Sequence, residues 1–205
     1  MSIHLFKHNQ QAYRAVTAML EKEKMAAVIH PTGTGKSLIA FKLAEENPSK
    51  HFLWLSPSEY IYQTQLEKLN MKFPNIQFMS YSRLMKNEDS IETLHPDYII
   101  LDEFHRCGAQ EWGRSVRKLL DTCPNAKRLG LSATNIRYLD NQRNMAEEIF
   151  DGKIASEMTL GEAIVREILP EPKYVIAMYS YQKELEQLKK RIRTLSNQGL
   201  ITENQ

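Results

Sequence analysis

"HPTGTGKS" occupies residues 30–37, directly behind the apolar run Ala26-Ala27-Val28-Ile29. Two glycines, a lysine and a serine within one turn cannot pack a core, but they can wrap an anion, and a phosphate is the usual one. Gly33 and Gly35 permit a tight turn that, with Thr32 and Thr34, aims successive backbone N–H groups at one point. Lys36 brings a point charge to the β- and γ-phosphates, and the Ser37 hydroxyl is placed for Mg²⁺. A helix beginning near Ser37 adds its positive end. The general pattern has glycine six residues before the lysine, and here that position is His30. The stretch predicts a strand–loop–helix unit holding ATP with Mg²⁺.

Working outward, further short apolar runs fall at 52–55, 76–79, 98–101 and 128–131. Between them lie segments of helical periodicity, such as Trp112, Val116, Leu119 and Leu120, and a first amphipathic helix carries Ala12, Tyr13, Val16, Met19 and Leu20. Strands alternating with helices predict an α/β fold, a parallel sheet with helices on both faces. A chain of 205 residues suits one substantial domain with an appendage. Its net charge of +2 does not by itself announce nucleic acid. Cys107 and Cys123 form neither a metal-spaced pair nor a disulfide framework, which suits a reducing compartment. No apolar run reaches membrane-spanning length and no signal-peptide core is visible, so the expected location is cytoplasmic, away from membranes.

The C-terminal third has a different texture. Thr159 is placed to cap a helix carrying Leu160, Ala163, Ile164 and Ile168, stopped by Pro170 and Pro172. "KYVIAMYS" (173–180) reads as extended. Tyr181, Leu185, Leu188, Ile192 and Leu195 then follow at 4-3-4-3 spacing, the seam of a helix over 181–197 that needs a partner. Self-association through this seam is one way to cover it.

Two further stretches carry chemistry. "ILDEFHRC" (100–107) sets two carboxylates at the end of the fourth run: Asp102 for the metal, Glu103 to orient and deprotonate an attacking water. "GLSATN" (130–135) ends the fifth run with the short hydroxyls of Ser132 and Thr134, suited to bonding the acidic stretch and passing its state onward, with His105 beside it.

In this order and spacing, PTGTGKS, DEFH and SAT resemble motifs I, II and III of superfamily 2 helicases and translocases, in particular the restriction-enzyme-like DExH group that includes type III restriction subunits. The resemblance implies a RecA-like P-loop NTPase lobe over residues 1–150, followed over 151–205 by a connector with a helical C-terminal extension. It also implies nucleic-acid contacts, DNA in preference to RNA, at Ser56, Pro57 and Gln63 of "LSPSEYIYQ" and at Ser80 and Tyr81 of "FMSYSRL". The family's adenine-reading glutamine stands three positions before an alanine; here that place holds Asn9, with Gln10 and Gln11 adjacent.

"QEWGRSVR" (110–117) mimics the family's motif VI, whose arginine reaches the γ-phosphate. That arginine belongs to a second RecA-like lobe beyond motif III, whereas this stretch directly follows motif II. Its apolar stripe instead predicts a core-facing helix with Arg114, Arg117 and Lys118 toward solvent. The expected function is the first ATPase lobe of a nucleic-acid-dependent helicase or translocase, an ATP hydrolase poorly active without its second lobe. The competing reading is a stand-alone module that binds nucleotide or nucleic acid and regulates a partner without turnover.

Overall fold

Runs such as FLWLS and YIILD have no polar alternation, and they are buried along their whole length, as strands covered on both faces must be. The computed structural model describes residues 2–137, 142–173 and 181–197. Its strands are β1 (Met25–Ile29), β2 (Phe52–Ser56), β3 (Ile76–Ser80), β4 (Tyr98–Asp102) and β5 (Lys127–Ser132), then a two-residue pair β6 (Ile136–Arg137) and β7 (Arg143–Asn144), and β8 (Ile154–Glu157). The helices are α1 (Lys7–Glu23), α2 (Lys36–Glu46), α3 (Glu59–Leu69), α4 (Tyr81–Lys86), α5 (Gln110–Thr122), α6 (Met145–Phe150), α7 (Leu160–Val165) and α8 (Gln182–Asn197).

Six strands form one parallel sheet in the order β3-β2-β4-β5-β1-β8, and β6 and β7 form an antiparallel ribbon. Parallel pairing forces a crossover between strands, and the crossovers cover both faces. One core layer gathers Val16, Leu20, Phe41 and Trp54 around α1 and α2. The other gathers Leu84, Val116, Leu119 and Phe150 around α4, α5 and α6. Because every strand of the sheet points the same way, the loops after β1, β4 and β5 emerge at one edge, where ligands of open α/β sheets bind.

Two expectations need correcting. The first compact unit runs through Pro170 rather than stopping at 150, because β8 hydrogen-bonds alongside β1, with Ala27 opposite Ile154 and Ile29 opposite Glu157. The helix capped by Thr159 is shorter than its apolar spacing implied. Thr159 and Glu162 form a capping box, but the helix ends at Val165. Glu167 takes a left-handed φ of 56°, and the Ile168 and Glu167 amides close back on the carbonyls of Ala163 and Ile164, leaving Ile168 outside the helix.

The second unit, Glu171–Gln205, contains α8, on which Leu185, Leu188 and Ile192 are exposed, as is Tyr181 just before it. The stretch expected to be extended, 173–180, lies outside the described residues apart from its first.

Candidate nucleotide-binding site

The loop after β1 is bent by its two glycines, which adopt left-handed φ values of 92° at Gly33 and 79° at Gly35. A Cβ at Gly35 would stand 2.9 Å from the Asn9 amide nitrogen, so another residue would be both strained and crowded there. The Thr34 hydroxyl donates to the Pro31 carbonyl at 2.8 Å, closing the loop on itself. From below, the buried Asn9 amide donates to the carbonyls of Thr34 (2.9 Å) and Gly35 (3.2 Å). Asn9 thus braces the loop. Gln10 is exposed and donates to the Leu5 carbonyl.

Lys36 is the first residue of α2 and is buried; its ammonium donates to the Pro31 carbonyl at 3.3 Å. Burial lowers its pKa, while the neighbouring Glu103 and Asp102 draw it back up. Asp102 ends β4 and is buried, and burial together with Glu103 pushes its carboxyl up to about 7, against the pull of Lys36. The Trp54 indole N–H on β2 lies near enough to favour the charged carboxylate, although it makes no hydrogen bond of its own among the described residues. A cleft of about 520 Å³ brings together Thr32, Gly33, Lys36, Ser37, Asp102 and Glu103, with Ile61, Gln65 and Lys68 of α3 along its side.

Glu103 sits in the left-handed region (φ 52°), unusual for a residue with a side chain and the kind of local strain that collects at working sites. Its carboxylate lies 3.4 Å from His105 Nδ1, and the same nitrogen lies 2.8 Å from Ser132 Oγ. Ser132 Oγ donates to the Thr134 carbonyl at 2.6 Å, so the ring nitrogen facing it must be the one that carries hydrogen. Burial lowers the pKa of His105. The three residues expected to couple the acidic stretch to the fifth strand therefore form one hydrogen-bonded chain.

The residues expected at nucleic acid divide. Gln63 is exposed, Pro57 is half-buried, and Ser80 caps α4 by accepting from the Arg83 amide. Ser56 and Tyr81 are buried: the Ser56 hydroxyl donates to the Ser58 carbonyl, and the Tyr81 hydroxyl donates to the Asp102 carbonyl at 2.9 Å. Their side chains are therefore turned inward: Ser56 closes β2, and Tyr81, the first residue of α4, packs beneath the end of β4. Sequence reasoning missed Gln65 altogether, and although it placed His30 in the loop and Asn9 at the adenine-reading position, it did not foresee their contacts, which lie 25 or more residues away.

His30 stands where the pattern has glycine. It is buried, shares a 2.8 Å hydrogen bond with Ser156 of β8, and is pushed down to about 4 chiefly by burial. It ties the base of the loop to the sheet's last strand. The motif VI look-alike has a packing explanation. A Cβ at Gly113 would lie 2.3 Å from the Cys107 carbonyl oxygen, so glycine lets α5 press against the short 3₁₀ turn Phe104–Gly108. Arg114 is exposed and pairs with Glu88. The two thiols are buried, and burial pushes Cys107 up to about 12, so neither is poised as a nucleophile.

Among the described residues no group of three or more His, Cys, Asp or Glu side chains could hold a metal unaided. A cation here would rely on Ser37 and Asp102 together with phosphate oxygens, the arrangement Mg²⁺ prefers. The residues fit that role: hydroxyl, carboxylate and lysine line one cleft beneath a loop of left-handed glycines.

A glycine-bent loop with Lys36 and Ser37 after the first strand, an acidic pair at the end of the fourth and a hydroxyl pair at the end of the fifth, on this strand order, fit the first RecA-like lobe of a helicase-type ATPase. The chain belongs to the family described as type III restriction enzyme, res subunit, whose model matches residues 2–75 and 65–137. No curated protein sequence matches it. Solved structures of similar fold include the ATP-dependent type ISP restriction-modification enzyme LlaBIII bound to DNA (TM-score 0.60, 17% identity, covering 81% of this chain and 16% of that one). The Pyrococcus furiosus Hef helicase domain is another (0.58, 17%, 94% and 48%), as is the DUF1998 helicase MrfA bound to DNA (0.52, 18%, 75% and 27%). The chain thus spans less than half the length of each of these structures. Among the described residues no helix is long and apolar enough to cross a membrane.

Proposed function

We propose that this chain is the ATP-binding lobe of a nucleic-acid-dependent translocase or helicase, acting on DNA in concert with a second RecA-like lobe. The observation that carries the reading is the convergence of buried Lys36 and Asp102 with half-buried Ser37 and Glu103 on one cleft at the Gly33–Gly35 turn. In this reading the loop amides and Lys36 hold the β- and γ-phosphates, and Ser37 and Asp102 hold Mg²⁺. Bound Mg²⁺ neutralises charge on the phosphates. Glu103 takes the proton of the attacking water, and the His105–Ser132–Thr134 chain passes its state to the end of β5.

The DNA-bound relatives favour DNA as the track. Phosphoryl transfer also needs positive charge on the departing γ-phosphate, and an arginine finger supplies about 10³–10⁵ in rate. The described lining of the cleft includes Lys36 and Lys68 but no arginine. Turnover by this chain alone is therefore expected to be very slow, and a regulatory module that binds without turnover is the reading to defeat.

The test is steady-state phosphate release by the 205-residue chain, with and without single-stranded and duplex DNA and RNA, and with a second lobe of the same family added. Slow release alone, restored by the second lobe together with DNA and lowered about 10²–10⁴-fold by Glu103→Gln, supports the enzyme. Tight Mg-ATP binding with no turnover under any of these conditions supports the module.

A further inference from the structure

The metal site has a resident that no motif assigns. Gln65, at the end of the second turn of α3, reaches across to α2 and donates from Nε2 to Ser37 Oγ at 3.0 Å. Its other amide atom, Oε1, is buried and has no hydrogen-bond partner among the described residues. Gln65 lines the same cleft as Lys36, Asp102 and Glu103.

A simple brace between two helices does not account for this. Helix α3 already packs on the core through Leu66 and Leu69 and stacks Tyr62 on Phe78, so its docking does not depend on the Gln65 bond. A buried acceptor left without a donor costs about 1–3 kcal/mol, a cost a brace has no reason to carry. The opposite atom of the same amide is already committed to Ser37, which fixes the plane of the group and leaves Oε1 buried close beside the Ser37 hydroxyl. What the site lacks is a hydrogen-bond donor beside Ser37. Hydrated Mg²⁺ brings such donors, because it dehydrates reluctantly and keeps several waters when bound through one or two protein oxygens.

We propose that Gln65 is an outer-sphere partner of the Mg²⁺ that accompanies the nucleotide: its Nε2 orients the Ser37 hydroxyl, and its Oε1 accepts from a water of the ion's hydration shell. The inference rests on the nucleotide-site reading above and deepens it. Gln65 is a positioning residue and touches the ion only through Ser37 and water. Partners of this kind typically change metal affinity about 10–100-fold when removed.

The experiment titrates MgCl₂ against a fluorescent ATP analogue on the full 205-residue chain, alongside titration of the analogue in EDTA. Gln65→Leu is expected to keep the EDTA affinity and the thermal midpoint, while its Mg²⁺ midpoint rises about tenfold. Gln65→Glu, which keeps an acceptor in place of Oε1, is expected to bring the midpoint most of the way back; a purely space-filling side chain would not separate Leu from Glu. A Mg²⁺ midpoint for Gln65→Leu within about twofold of wild type, in a protein whose Lys36→Ala variant has lost nucleotide, overturns the inference and leaves the phosphate cradle standing. No nucleotide binding by the wild-type chain in either buffer overturns both.

Discussion

The molecule has two clefts lined by cations, and the smaller one also holds the acidic pair Asp102 and Glu103. The larger, about 940 Å³, runs along α5 and the β6–β7 ribbon and is lined by Arg114, Arg117, Lys118, Arg137 and Arg143. Those charges already have company: Arg114 pairs with Glu88, and Arg117 and Arg143 both reach Glu148. Lys118 donates to the Glu88 carbonyl, and Arg143 also donates to the carbonyl of Gly108. The smaller cleft has two lysines among its described lining, and Lys36 there is buried, donates to the Pro31 carbonyl at 3.3 Å, and lies beside a loop bent by two left-handed glycines. Fixed donors in a desolvated frame make an anion site; a tally of arginines does not.

The sharpest way to break this contrast is to remove one cation from each cleft. Lys36→Ala is expected to weaken ATP binding about 100-fold, the value of a charge-assisted bond of roughly 2–3 kcal/mol, without unfolding the lobe. Arg114→Ala should leave ATP affinity unchanged, since an exposed ion pair contributes little to anything. Titration calorimetry on both variants decides it: equal losses would dissolve the distinction between the clefts.

Next in size is Gly113→Ala, which sets a methyl group against the Cys107 carbonyl. A loss of about 1–3 kcal/mol in denaturant unfolding, with ATP affinity intact, is expected if the glycine serves helix packing. Intact stability with lost nucleotide binding would return the motif VI resemblance of this stretch to consideration.

A smaller effect should appear on acidification. The folded-state pKa of His30 is depressed to about 4, below its ordinary value near 6.5, so the unfolded chain binds the proton first. Its contribution is present above pH about 6.5 and is lost as pH falls toward 4, by up to about 1.4 kcal/mol per unit. His30→Gln, whose amide can still reach Ser156, should flatten that limb of the stability–pH curve; an unchanged limb would assign it to other groups. The smallest effect is expected at the end of α7. Glu167 holds a left-handed conformation that glycine adopts freely, so Glu167→Gly should raise the thermal midpoint slightly, by up to about 1 kcal/mol in stability. A fall would mean that the Glu167 side chain contributes a contact that outweighs its strain.

Much of the architecture was legible in the chain because its signals are local. A parallel strand buried on both faces reads as a short apolar run, as at 25–29, 52–56 and 98–102, and the edge strand 76–80 and the strand 127–132, which opens with Lys-Arg, still carry enough apolar residues to be found. The phosphate loop is equally local, since glycine, lysine and serine act within one turn of the chain. Short and irregular pieces were less readable. Strand β8 has only four residues, two of them polar, and joins the sheet because β1 offers a bare edge. Nothing in IASE alone announces that.

The sequence by itself therefore determined the class of fold, the place of the glycine-bent turn after the first strand and the acidic pair at the end of the fourth, because adjacent residues settle each of these. Only the tertiary structure decided which other side chains share the cleft and which are excluded from it. Gln65 meets Ser37 across 28 positions, Asn9 supports Thr34 across 25, and His30 reaches Ser156 across 126. Tyr81, by contrast, turns inward to the Asp102 carbonyl instead of outward to a ligand. Contacts of that separation depend on how the sheet orders its strands, which no single stretch of sequence encodes.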